Sequence, residues 1–191
     1  MLHPWLDPLL RFFLVSPLSP VCRGAGCHLA RQRGNIAWHT ITLFLANALR
    51  EAWEEIGLYP WDVQFLGPLP AHSLVLIQRT IFPVCGWIKR PRTARPNREV
   101  ARVIDVPLNF FYDPARFGRL YLEVPDSLQQ KDYFPCLVLP DGEKNDLLWG
   151  ATFKIVIGFL HLVMDYELPD LREAPVFRKA LDMDYLTGSS S

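Results

Sequence analysis

Between residues 50 and 58 the chain runs Arg50-Glu51-Ala52-Trp53-Glu54-Glu55-Ile56-Gly57-Leu58, and this run is more informative than any other of its length. It closes a helical pattern that starts near Thr40. At roughly 100° per residue, Leu45, Leu49, Ala52 and Ile56 fall within a narrow arc and form one apolar stripe. Gly57 stands where such a helix would end, because glycine takes the left-handed cap conformation without a Cβ penalty. Glu51 precedes Glu54 and Glu55 by three and four residues, so the three carboxylates share a face away from that stripe. Like charges at this spacing repel by about a few tenths of a kcal/mol per pair. They also lie near the helix C-terminus, where the macrodipole disfavours anions. A helix selected for stability alone has little reason to carry this pattern. A hard divalent cation reverses the balance, since Mg²⁺ takes oxygen ligands and bridges carboxylates to phosphates. On spacing alone, an ordinary solvated acidic face remains the alternative.

Outward from this helix the chain reads as a mixture of strands and turns. Short apolar runs at Val63–Leu66, Ser73–Leu76, Thr80–Ile88 and Val100–Val106 are strand candidates. Pro83 interrupts the third and calls for an edge or a bulge. Lys89–Arg98, broken by Pro91 and Pro96, reads as an exposed basic loop, and Pro107–Pro114 as a turn into a short helix. Tyr121–Val124 and Tyr133–Leu139 suggest a late hairpin, with Pro140-Asp141-Gly142 as a turn. Residues 149–164 carry a second helical pattern. Upstream, prolines punctuate residues 1–39; a short helix over Asp7–Leu14 is expected there, within an otherwise irregular segment or insertion. The domain expected from the pattern spans 40–186, with 187–191 as a frayed tail.

Composition narrows the function classes. Half of the 191 residues are apolar, enough for a sizeable core. Lys plus Arg balances Asp plus Glu at 20 each, so no broad field draws in nucleic acid or an anionic membrane. The N-terminal twenty residues lack the basic leader of a secretory signal, and Ile155–Met164 is far short of a bilayer span. A cytoplasmic protein without nucleic-acid or membrane partners is expected. Cys22, Cys27 and His28 resemble half of a metal knuckle, but neither Cys85 nor Cys136 has a second ligand nearby; reduced thiols are the expectation.

The run from Arg50 to Leu58 resembles the second half of the Nudix box, in which Arg-Glu, two residues, Glu-Glu, one residue and Gly precede an aliphatic residue. The similarity continues through Ala46–Leu49, Phe65–Pro70, Ile81–Ile88, Arg95–Leu108 and Leu147–Leu160, stretches that look like the coenzyme A pyrophosphatase branch. What the resemblance implies is an α/β fold, an α/β/α sandwich around a mixed sheet, and Mg²⁺- or Mn²⁺-dependent cleavage of a diphosphate in coenzyme A or a related compound. It implies Glu51, Glu54 and Glu55 as metal ligands, Glu51 or Glu54 as catalytic carboxylates, and Arg50 as an ion-pair partner holding one of them. Glu99, within Pro96-Asn97-Arg98-Glu99-Val100, would be a further acidic residue near the metal. Lys89, Arg90, Arg92, Arg95 and Arg98 are candidates for binding substrate phosphates.

The first half of the box is absent. Thr42 stands eight residues before Arg50, where the family has glutamate, and Ile36 stands where it has glycine. The Pro-Gly-Gly loop is missing as well. Either the loop is deleted in a degenerate relative, or residues 1–39 are an insertion between the glycine loop and the helix, with the family's first strands upstream of Met1. Three functions therefore stay open: the coenzyme A pyrophosphohydrolase, a hydrolase of another nucleoside diphosphate-linked compound, and a non-catalytic module that binds a nucleotide or a protein.

Overall fold

A computed structural model describes residues 12–15, 38–74, 79–100, 102–123, 133–139 and 146–180. The chain divides into two compact units, Met1–Asp105 and Val106–Ser191. Each combines one long helix with β-structure, which makes the chain mixed α/β.

In the first unit, helix α1 (Trp38–Ile56) lies against a three-stranded antiparallel sheet. The strand order is β1 (Phe12–Val15), β5 (Val84–Ile88), β2 (Val63–Pro68). A separate ribbon pairs β3 (His72–Leu74) with β4 (Arg79–Ile81). Ala48 and Ala52 are 1% and 2% exposed and pack on Val84, with Leu45, Leu58 and Phe65 around them. Small side chains on this line let the helix axis approach the sheet closely. The buried line runs through Ala48 and leaves Leu49 only half-buried, a modest rotation from the expected stripe.

Strand β2 carries a bulge between Phe65 and Gly67, where its register against β5 slips by one residue. Gly86 is required where these strands meet. A Cβ at that position would stand 2.7 Å from Val63 Cγ1, closer than packed carbons tolerate. The expected single strand over Thr80–Ile88 is two strands, because Pro83 has no N–H to give a ladder. Buried Pro83 instead offers its carbonyl to the Leu69 N–H at 2.8 Å.

Two expectations need correction. The helix placed over Asp7–Leu14 is, at Phe12–Val15, a strand paired antiparallel with β5. The open edge of β5 gives these aromatic and branched residues a ladder that outweighs a marginal local helix. Val100–Val106 forms no strand over its described residues; none of the described strands pairs with it, and Val103 is 39% exposed. Apolar alternation without a partner ladder does not hold an extended segment in a sheet. The late hairpin is present: a strand over Phe117–Glu123 pairs antiparallel with one over Phe134–Val138, the first beginning four residues earlier than expected, and Pro140-Asp141-Gly142 lies outside the described residues.

The second unit is built on a mixed sheet ordered β8 (Leu147–Trp149), β7 (Phe134–Val138), β6 (Phe117–Glu123), β9 (Val176–Ala180). Its first three strands are antiparallel, and β9 joins β6 in parallel. Helix α2 (Gly150–Met164) buries Phe153, Ile155, Phe159 and Leu160 and packs on β7 and β8. Phe117, Leu120, Cys136 and Leu137 are fully buried, and the Phe153 ring meets Phe117 edge-on at 6.3 Å. Beyond the helix, the buried Tyr166 hydroxyl donates to the Phe111 carbonyl at 2.5 Å. Strands β8 and β9 are absent from the sequence reading: one is three residues long, and the other carries Arg178 and Lys179 on an otherwise short apolar run.

Candidate active site

The carboxylates singled out in the sequence all belong to the first unit, and three sit on the last turns of α1. Glu51 accepts from Asn47 Nδ2 at 2.9 Å, one helical turn back. Glu54 takes the Arg50 guanidinium at 2.6 Å, also one turn back. Arg50 reaches the Asn47 Oδ1 at 2.8 Å with its other nitrogen and lies 3.8 Å from Glu51. Asn47 and Arg50 thus form a polar lattice that fixes the rotamers of two carboxylates. Glu55 has a different environment. Burial first, then the charges of Glu51, Glu99 and Glu54, push its carboxyl above the ordinary carboxylate range. Glu99, remote in sequence, is near enough for its charge to act on Glu55.

The helix end is closed by a loop from elsewhere. Gly57 has φ +70° and its N–H donates to the Trp53 carbonyl at 3.0 Å, which turns the chain out of the helix. The last carbonyls then need donors. Arg95 N–H reaches the Ile56 carbonyl and Asn97 N–H the Glu55 carbonyl, each at 2.8 Å. The Asn97 side-chain amide donates to the Glu54 carbonyl at 3.1 Å, and its Oδ1 accepts the Glu99 N–H at 2.8 Å. One asparagine thereby joins the Glu54 backbone to the Glu99 backbone.

The same loop is anchored at its other end. Asp62 is 1% exposed, and Arg92 Nε donates to its Oδ2 at 3.0 Å. The Lys89 N–H donates to the Asp62 carbonyl at 2.8 Å. The Arg92 guanidinium also lies 5.3 Å from the Tyr59 ring centre, beside a stack of Tyr59, Trp61 and Trp53. Arg92 is therefore engaged structurally, whereas Lys89, Arg90, Arg95 and Arg98 are exposed on the loop. Asn47, Asp62 and Asn97 were missed by sequence reasoning. Only Pro96-Asn97, a turn signal, hinted at a loop with a defined shape.

Among the described residues, no group of three or more His, Cys, Asp or Glu side chains is gathered closely enough to hold a metal ion. The cause is visible in the partners: Glu54 is turned onto Arg50 and Glu51 onto Asn47. In chemistry the donor set fits a hard divalent cation. It is all carboxylate oxygen, and every charge acting on Glu55 is negative. Cys22, Cys27 and His28 lie outside the described residues. Cys85 and Cys136 are free and buried, and burial raises each thiol to about 11. Among the described residues, no helix is long and apolar enough to cross a membrane.

No protein-family model matches the chain. The peroxisomal coenzyme A diphosphatase NUDT7 of Mus musculus is 28% identical over 148 residues, covering 75% of this chain and 58% of that protein. The uncharacterized Nudix hydrolase NudL of Pectobacterium atrosepticum is 33% identical over 125 residues, covering 64% of this chain and 60% of its own length. The chain thus spans about three-fifths of the length of these curated relatives.

Proposed function

We propose that this chain is a Nudix-type, divalent-metal-dependent pyrophosphohydrolase acting on the diphosphate of coenzyme A or a derivative. The observation that carries the reading is that Glu51, Glu54 and Glu55 stand on the last turns of α1 while the loop bearing Glu99 is hydrogen-bonded to the same helix end. Support for the substrate class comes from similarity to a relative named as a coenzyme A diphosphatase.

In this reading Glu51, Glu54, Glu55 and Glu99 hold Mg²⁺ or Mn²⁺, which when bound neutralises diphosphate charge and lowers the pKa of water. Asn47 and Arg50, one helical turn back, are the partners that Glu51 and Glu54 would exchange for the cation. A carboxylate of the cluster, Glu51 or Glu54, accepts the proton of the attacking water. The exposed guanidinium and ammonium groups of Arg90, Arg95, Arg98 and Lys89 meet substrate phosphates. We place the protein in the cytoplasm, with a small nucleotide-like molecule as its partner and neither nucleic acid nor membrane.

The test is direct. Incubation with coenzyme A and Mg²⁺ should yield adenosine 3′,5′-bisphosphate, and Glu54→Gln should lose ~10²-fold or more of the rate. No turnover of coenzyme A, with turnover of another nucleoside diphosphate compound, moves the reading to that substrate. Thr42, standing where the box has glutamate, favours a second reading: a non-catalytic binding module. Nucleotide binding by calorimetry that ignores Mg²⁺, with no hydrolysis of any compound, would establish it.

A further inference from the structure

We propose that Asn97 is a positioning residue for the metal-holding cluster: it fastens the loop 95–99 to the end of α1 and so sets Glu99 beside the helix carboxylates. The inference rests on the reading of Glu51, Glu54, Glu55 and Glu99 as the cation-holding group.

The argument begins with unmet hydrogen bonds. A helix leaves its last carbonyls without intrahelical donors, and here they lie under the acidic face. Three donors come from one short segment forty residues downstream in the chain. Arg95 N–H serves Ile56, Asn97 N–H serves Glu55, and Asn97 Nδ2 serves Glu54. Donors at this point also offset the negative end of the helix dipole beneath a set of anions. The remaining polar atom of the Asn97 side chain, Oδ1, accepts from Glu99 N–H at 2.8 Å. This Asx turn reverses the chain immediately after the cap. The Glu99 backbone is therefore held one side chain away from the Glu54 backbone, although 45 residues separate them in sequence. The far end of the loop is fastened independently by Arg92 on the buried Asp62.

Residue choice matters at this position. Aspartate would supply Oδ1 but no donor, and would add an anion to an anionic cluster. Serine is long enough for the turn to Glu99 but too short for the Glu54 carbonyl. Alanine offers neither bond. Asparagine is suited to both tasks through its paired donor and acceptor.

The experiment measures Mn²⁺ binding by calorimetry on the full chain, with thermal midpoints taken on the same samples. Wild type is compared with Asn97→Ala, Glu99→Gln, the double variant N97A/E99Q and the milder Asn97→Ser. The expected result is about tenfold weaker Mn²⁺ binding in N97A, in line with losses seen when groups supporting metal ligands are removed. Glu99→Gln should weaken binding similarly, and the double variant should be no weaker than Glu99→Gln alone, because Asn97 acts through Glu99. N97S, which keeps the turn and cuts the tie to Glu54, should behave as N97A and serves as the folded comparison should N97A unfold. Additive losses in the double variant, or wild-type affinity in both N97A and N97S, overturn the inference and leave the metal reading standing. Absence of Mn²⁺ binding in wild type overturns both.

Discussion

Asp62 is the most consequential single residue that the sequence does not advertise. Its carboxylate is buried, and the half-exposed Arg92 supplies its charge partner. Removing Arg92 leaves a buried acceptor without that donor, which costs about 1–3 kcal/mol. Arg92→Ala should therefore lower the unfolding free energy measured by denaturant titration by that amount, and Arg92→Lys should recover only part of it because the planar fork is lost. The buried thiols make a second prediction at this scale. With Cys85 and Cys136 raised from 9.0 to about 11, the folded protein holds their protons more tightly than the unfolded chain. Their contribution to stability is present below pH 9 and is lost as pH rises through about 11. Alkylation mapped by mass spectrometry should accordingly be slow at both sites near pH 8 and become rapid in denaturant. Rapid native labelling at pH 8 would contradict their burial.

At the scale of elements, the decisive features are the end of α1 and the contact of β2 with β5. Gly57 sits at φ +70°, where an added Cβ is strained, so Gly57→Ala should destabilise by about 1 kcal/mol in thermal or denaturant unfolding. Gly86→Ala should cost more, because its Cβ meets Val63 at 2.7 Å and one strand must move. The paired variant Gly86→Ala with Val63→Ala should recover much of that loss, a result that would separate crowding from backbone strain. Helix α1 and its glycine cap were legible because spacing and capping are local: Leu45, Ala52, Glu51, Glu54, Glu55 and Gly57 express them within the segment itself. Strands were legible where an uninterrupted apolar or alternating run marked them. Val63–Pro68 announced itself, whereas Leu147–Trp149 and Phe12–Val15 exist because a neighbouring strand offers its edge. Val100–Val106 shows the converse, a strand-like pattern without such an edge.

For the whole molecule, the prediction concerns linkage between metal and stability. In the metal-dependent reading, Mn²⁺ at about a hundred times its dissociation constant should stabilise the folded chain by ~2.7 kcal/mol, measured as a rise in the unfolding midpoint. Glu54→Gln should abolish most of that rise. An unchanged midpoint in wild type would argue against a cation site in the folded state. Two compact units, each with its own apolar core, give this measurement two places to report from, and only the first contains the acidic cluster. The amino-acid order alone determined the acidic helix, its glycine stop, the second helix and the α/β character, since each is written in contacts a few residues apart. Tertiary structure alone decided that Glu99 joins the helix through Asn97, that Asp62 is buried under Arg92, and that Phe12–Val15 pairs with β5. These unions link residues 30 to 43 apart or more and exist only once the chain has closed on itself, which no local periodicity encodes.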